Sequence, residues 1–285
     1  MRKYFSHAFK ITNKSIILVI PLIIIMTVIS AYMEFVNRMS DTPAEVILAL
    51  ITLLFMFGAF GAGWFSMVKA AVREDSCSGK IKSVSDWFKV LPAGIGEYFL
   101  SFAGVSLVFS VLILLSAVVL YKLGFLLFGA LDFDPVLLKQ AVISSEGMKI
   151  FIESLSDEQR MRLIGWNFLL IFAGGLYSFI TLLWVPEVMY GTGNPVKALW
   201  FSIKKIFQKF LKSAELFLYI SLLYFLVLIA GTFLMYNPVT YIIAMMMNFY
   251  FTVYFVVLIF SYYEAEYKSD SNSGSDSLRQ DGLCG

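Results

Sequence analysis

The chain holds 285 residues, of which 59% are hydrophobic, 17% aromatic and only 15% charged, with a formal net charge of +2 and a mean hydropathy of +0.80. Soluble domains keep about a quarter of their residues charged, so this composition excludes an ordinary water-soluble fold and makes lipid the solvent.

Crossing a hydrocarbon core of roughly 30 Å takes about 20 apolar residues in a helix, whose backbone satisfies its own hydrogen bonds there. Six stretches reach that length, at 15–36, 44–68, 99–121, 163–185, 214–236 and 239–262, and none carries a charge near its middle. The sequence therefore predicts an all-α integral membrane protein with six transmembrane helices.

In chain order, the N-terminal arm sets Phe5 and Phe9 opposite Lys3, His7 and Lys10, the pattern of an amphipathic helix. Arg2 and Lys3 ahead of an apolar core, with small residues at 28–30, also fit a cleaved signal peptide. The apolar run is too long for one and contains Pro21, so it reads as a retained span. The second span carries Gly58, Ala59, Gly61, Ala62 and Gly63, small residues that let helix backbones approach, and ends on Trp64 and Phe65, placed as interface anchors. A second amphipathic segment follows. Its apolar Ile81, Val84, Phe88 and Leu91 face Lys80, Lys82, Asp86 and Lys89, and Pro92 is expected to end it.

The only sizeable element outside the membrane is expected at 132–162. Asp134 and Pro135 form a helix start, the moderately apolar 136–152 reads as two short helices broken at Gly147, and Ser156-Asp157-Glu158-Gln159 is a capping box that launches the fourth helix. That span carries another small-residue group, Ala173, Gly174 and Gly175, and an aromatic end at Trp184 and Tyr190. Pro186 followed by Glu187 predicts a bend that lodges a carboxylate among the helix ends. The pair is the leading functional candidate, with a snorkelling interface charge as the plainer role.

The third amphipathic segment is the strongest. Leu199, Ile203, Ile206, Phe207 and Phe210 recur at helical spacing, with Lys204, Lys205, Gln208, Lys209 and Lys212 on the other face. Lying at the bilayer surface, it would bury the rings and offer Lys197, Lys204, Lys205, Lys209 and Lys212 to anionic headgroups; a helix packed on the protein itself is the alternative. Phe9 to Ser15 aligns locally with Phe207 to Ser213, each running into a span. The chain thus reads as three pseudo-repeated helical hairpins, each preceded by a cytoplasmic interfacial amphipathic helix. Asn237-Pro238 joins the last two spans tightly, Tyr262 and Tyr263 close the sixth as further anchors, and the tail at 268–285, rich in Ser and Asp, is expected to be disordered. The six-span domain is placed at 1–267.

Most of the 22 lysines and arginines fall in the N-terminal arm, the 69–89 loop, the 197–212 segment and the tail, whereas carboxylates balance the cations of the 122–162 region. The positive-inside rule then puts both termini in the cytoplasm and the chain in the inner or plasma membrane. Cys77 and Cys284 would lie in that reducing compartment as free thiols.

Catalytic chemistry finds little material. One histidine, His7, leaves His-based metal sites and nucleophile-base triads without members, and no HExxH, CxxC or Walker-type loop occurs. Gly191-Thr192-Gly193 reads as a turn. The acid pairs Asp132 with Asp134, Asp157 with Glu158, and Glu264 with Glu266 fall in loops or at helix ends, where solvation or capping is the default. No catalytic residue, metal or cofactor is expected.

Trp184-Val185-Pro186-Glu187-Val188-Met189-Tyr190-Gly191, followed by Pro195 and Ala198-Leu199 with Ser202, resembles a pattern in bacterial six-span membrane proteins related to the membrane domain preceding some glycerophosphodiester phosphodiesterases. The stretch from Gly61 to Trp64 and on to Asp86-Trp87-Phe88 is similar to the same group's second junction. The resemblance implies fold, membrane placement and lipid or envelope business; the phosphodiesterase activity does not carry over, because its soluble domain has no counterpart here. The sequence points to a non-enzymatic membrane protein with a lipid- or envelope-related structural or binding role. The competing reading is the permease subunit of an ATP-driven (ABC-type) exporter. Expected partners are the bilayer and its anionic lipids, with a partner membrane protein or a separate ATPase, and no nucleic acid.

Overall fold

The computed structural model describes residues 2–39, 42–77, 84–131, 139, 141, 144–234 and 237–268. The helix start at Asp134-Pro135, the acid pair with Asp132, the residues 80–82 and the tail from residue 269, Cys284 included, lie outside them. All elements among the described residues are helices. They are α1 (Arg2–Lys14), α2 (Val19–Met39, entered through a 3-10 turn, Ile16–Leu18), α3 (Pro43–Cys77), α4 (Val84–Phe128), α5 (Ser145–Ser154), α6 (Asp157–Thr181), α7 (Trp184–Tyr190), α8 (Pro195–Gln208), α9 (Phe210–Leu234) and α10 (Pro238–Tyr263), which runs into a π turn at Glu264–Lys268.

Six segments are long and apolar enough to cross a membrane: Ile16–Val36, Pro43–Arg73, Asp86–Phe128, Asp157–Tyr190, Phe210–Leu234 and Val239–Lys268. The third has no buried residue in its most apolar stretch, and Leu100, Leu114 and Leu126 are 83%, 68% and 79% exposed. Water does not tolerate such a surface, and lipid does.

Local chemistry sets the helix starts. Ser156 and Gln159 form the expected capping box, Ser156 N–H donating to Gln159 Oε1 at 3.0 Å and Gln159 N–H to Ser156 Oγ at 3.2 Å. Asn194 and Asn237 cap α8 and α10 with Pro at the first turn of each. Thr42 and Glu45 cap α3 reciprocally in the same way.

Two expected breaks are absent. Pro92 does not end the second amphipathic segment, because residues 84–91 are the opening turns of the 45-residue α4, which continues through Pro92. Proline costs this helix one hydrogen bond, but packing on α3 holds it on both sides: a Cβ at Gly63 would lie 2.9 Å from the Leu91 carbonyl, and one at Gly94 would overlap the Ser66 side chain. Gly147 likewise breaks nothing. It lies in the first turn of α5, where its N–H donates to the Ser144 cap at 3.0 Å.

The chain forms two compact units, one of residues 1–108 with 180–285, the other of residues 109–179. In the smaller unit, Gly124 makes room for the Trp166 indole and Gly165 for the Phe128 ring, so neither position admits a Cβ without displacement. Gly129, at φ 79, ends α4, and its carbonyl accepts from Trp166 Nε1 at 3.2 Å. Ala141, Phe151 and Leu155 pack with Leu163 as its small core. The larger unit is centred on α10, which packs against α1, α2, α3, α7 and α9 and buries Val253, Val257, Leu258, Phe260, Tyr262 and Tyr263.

The two small-residue groups differ. Gly58, Gly61 and Gly63 meet Ala103, Phe102 and Leu91, the close helix contact the sequence predicts, whereas a Cβ at Gly174 or Gly175 meets nothing among the described residues. The aromatic anchors are also corrected. Trp64, Trp184, Tyr262 and Tyr263 are at most 3% exposed and face the protein interior. Their polar atoms explain this: Trp64 Nε1 donates to the Leu18 carbonyl and Trp184 Nε1 to the Pro195 carbonyl, both at 2.9 Å, and the Tyr262 hydroxyl lies 3.2 Å from Ser213 Oγ. These partners satisfy inside the protein what an interface would satisfy with water.

Candidate functional site

Both ends of the described chain meet at one end of the larger unit, where α1, α7, α8 and the π turn converge. Pro186 starts the construction. It has no N–H to offer the Leu182 carbonyl, so the helix breaks there and restarts as α7, with Pro186 buried inside its first turn. The bend expected at Pro186-Glu187 thus falls one turn earlier, at Leu182 and Leu183.

Glu187, 3% exposed, points inward from α7. Its Oε2 accepts from Lys205 Nζ and from the Tyr263 hydroxyl, both at 2.6 Å. Lys205 Nζ also approaches the Tyr263 hydroxyl at 2.6 Å and sits 4.7 Å from that ring's centroid. A buried carboxylate needs such company, since desolvation of each ion costs several kcal/mol, roughly, unless charge and hydrogen bonds are returned. The turn that follows is cut to fit: the N–H groups of Gly191 and Thr192 both donate to the Glu187 carbonyl, and a Cβ at Gly191 would overlap Glu187 Oε1. The Gly191-Thr192-Gly193 segment is a turn, as its composition predicts.

A second carboxylate does the same work from the π turn that follows α10. Glu266, 6% exposed on the π turn, accepts from Lys212 at 2.8 and 2.9 Å, from Lys209 at 3.1 Å and from the Tyr4 hydroxyl at 2.9 Å. The Tyr4 phenol is pushed up by burial and by this carboxylate. Glu264 accepts from the Tyr190 hydroxyl at 3.3 Å. The Glu264 and Glu266 pair is therefore not the solvated helix end that its position implies. Tyr267 joins the two networks, its hydroxyl donating to the Lys205 carbonyl at 2.9 Å and its ring lying 5.1 Å from Lys209 Nζ.

The five candidate lipid-interface lysines of 197–212 split. Lys205, Lys209 and Lys212 turn to Glu187 and Glu266, while Lys197 and Lys204 are exposed. Helix α8 consequently has three faces. Ala198, Ser202 and Ile206 are buried against the protein; Val196, Trp200 and Phe207, 59%, 66% and 62% exposed, form an outward apolar stripe; Lys197 and Lys204 lie between on the third side. Sequence reasoning found Glu187 but missed Glu266, Tyr263 and Tyr4. One signal was legible: carboxylates at a helix C-terminus oppose the helix dipole, so Glu264 and Glu266 there call for cations from elsewhere.

Among the described residues no three His, Cys, Asp or Glu side chains converge as a metal site would require. What the arrangement can do chemically is fasten segments with charge, since every carboxylate in it is bound to lysine or tyrosine donors. A chain whose described elements are all helices, with six segments long and apolar enough to cross a membrane, is consistent with a multi-pass membrane protein. No family model, curated protein or solved structure matches the chain.

Proposed function

We propose that this is a non-enzymatic protein of the inner or plasma membrane, with both termini cytoplasmic, that works at the bilayer surface in a lipid- or envelope-related structural or binding role. The three-faced α8 carries this reading. One side is fixed to the protein by Lys205 and Lys209, and the apolar side displays Val196, Trp200 and Phe207. The remaining side offers Lys197 and Lys204. A helix with those three sides suits the boundary where protein, acyl chains and charged headgroups meet. α1 repeats the arrangement more weakly, with Phe9 52% exposed and Lys10 exposed beside a face packed on α10. The kinship with six-span proteins related to phosphodiesterase membrane domains belongs to the same proposal and rests on the residues around Pro186. The non-enzymatic part rests on the composition of the chain, with its single histidine.

The test uses the full protein in vesicles whose lipids carry bromine at shallow or deep acyl positions, with the Trp200 signal taken as the difference from Trp200→Phe. Quenching by shallow bromines, strengthened when anionic lipid is present and weakened in Lys197→Gln/Lys204→Gln, is the expected result. A Trp200 that no bromine reaches refutes the interfacial role. Were Trp200 instead shielded on adding a soluble ATPase, the exporter-permease reading would take its place.

A further inference from the structure

We propose that α10 carries the seam of a homodimer, in which Asn248 pairs with Asn248 of the partner subunit in the middle of the bilayer. Asn248 lies on α10 about 14 Å along the helix from Val239, which puts it near the centre of a hydrocarbon core of roughly 30 Å. Its Nδ2 donates to the Ala244 carbonyl, one turn back, at 3.1 Å. A carbonyl can only accept, so this bond fixes which end of the amide faces the helix and turns Oδ1 away from it. That oxygen has no donor among the described residues, and acyl chains offer none.

Threonines in the apolar spans place their single hydrogen locally. Thr27, Thr52 and Thr252 each donate to the carbonyl four residues back, at 2.9, 2.9 and 2.8 Å. A primary amide has more to place, a second N–H and a carbonyl oxygen, and a helix interior has no spare N–H for the oxygen because each already serves the preceding turn. In lipid, such a group is answered by a hydrogen bond across to another helix.

The surface around Asn248 has the form of a helix seam. Tyr241, Met245, Asn248 and Thr252 follow one another at intervals of four, three and four residues, the spacing that keeps side chains on one line facing a neighbouring helix. Tyr241 and Met245 are 50% and 41% exposed, Thr252 is exposed and Asn248 half-buried, so the line is open to an occupant. The membrane selects a second copy. Two chains inserted with the same topology and related by a twofold axis share that axis with the membrane normal, so contact along this seam sets α10 parallel to its copy and brings residue 248 opposite itself at one depth. An amide is its own complement, the free N–H of each donating to Oδ1 of the other. One asparagine in a helix seam also fixes the register of the pair.

The test is association of the full-length protein in phosphatidylcholine liposomes, read by energy transfer between donor-labelled and acceptor-labelled copies as the lipid-to-protein ratio is raised. Wild type is expected to associate, and unlabelled copies to compete. Asn248→Leu, which leaves no amide to satisfy and suits a lipid-facing helix, is expected to weaken association about tenfold with thermal unfolding unchanged, the scale of one hydrogen bond between helices in lipid. Asn248→Gln, which keeps the amide, should retain most of it. With Cys77 and Cys284 replaced by Ser, Thr252→Cys should cross-link to its copy on oxidation, whereas Leu114→Cys on α4, at a position 68% exposed, should not. Monomers at every ratio, or equal association by wild type and Asn248→Leu, overturn the seam. A Thr252→Cys that cross-links in native membranes only to a different protein overturns it as well and gives the face to a partner helix.

Discussion

The two ends of the larger unit use the same helices under different physics. Where the termini meet, Glu187, Glu266, Tyr263, Trp184 and Trp64 are buried and each polar group has a named partner. At the hairpin end, Phe35, Ile47, Leu48, Phe233 and Ile242 are 57–74% exposed, and between α2 and α3 the Tyr32 hydroxyl donates to the Ala49 carbonyl at 3.4 Å, a longer bond than those made to the carboxylates of Glu187 and Glu266. Lipid tails are as apolar as leucine, so the hairpin end gains little from helix–helix burial. Directional hydrogen bonds and ion pairs have no such competitor inside the bilayer. The difference teaches that order in this unit is set from the termini end, and four substitutions test it.

The largest effect is expected at Glu187. Glu187→Gln strands the Lys205 ammonium beside Tyr263, and breaking a buried pair from one side costs about 3 kcal/mol. Thermal unfolding of the protein in nanodiscs should show the loss, and Lys205→Met in the same background should recover part of it by removing the stranded charge. Recovery of nothing would mean that Glu187 stabilises through packing alone.

Glu266→Gln comes next, at about 2 kcal/mol, because it weakens bonds from three donors of which Lys212 is half exposed. Its signature is local. Hydrogen exchange should rise in α1 and around Lys209 first, since Tyr4 and Lys209 lose a common acceptor, and an even rise over all helices would contradict the fastening role. Trp64→Phe keeps an aromatic ring but removes the N–H that donates to Leu18 and part of the buried indole volume, for a loss of about 1–2 kcal/mol in the same unfolding assay. The smallest effect belongs to the other end: Leu48→Ala, at a residue 64% exposed to the surroundings, should stay within about 0.5 kcal/mol. A Leu48→Ala loss rivalling that of Glu187→Gln would erase the contrast between the ends.

How much of this was legible beforehand differs residue by residue. Ser156 with Gln159 was readable because a capping box is written within four residues of chain, whereas Asn237-Pro238 reads as a tight join and its cap on the Val239 N–H comes from the structure. Pro186 announced a break, though placing it at Leu182 requires counting back to the carbonyl that loses its donor. Pro92 announced a break that did not come, since packing against Gly63 and Ser66 outweighed one missing hydrogen bond. The lysines of α8 show the limit. Periodicity put Lys204, Lys205 and Lys209 on one polar face, and nothing within that helix distinguishes the one that stays outside from the two that turn to carboxylates.

By itself the sequence determined the solvent, the six spans and the capping box at 156–159, because hydropathy and capping act over short stretches of chain and need no knowledge of neighbours. Only the tertiary structure decided which tryptophans and tyrosines lie inside, which lysines are spent on Glu187 and Glu266, and that Tyr4 meets a carboxylate 262 residues away. Those outcomes depend on which helix faces come together, and a buried charge or N–H takes whatever partner that meeting supplies, since leaving it without one costs more than any local preference returns.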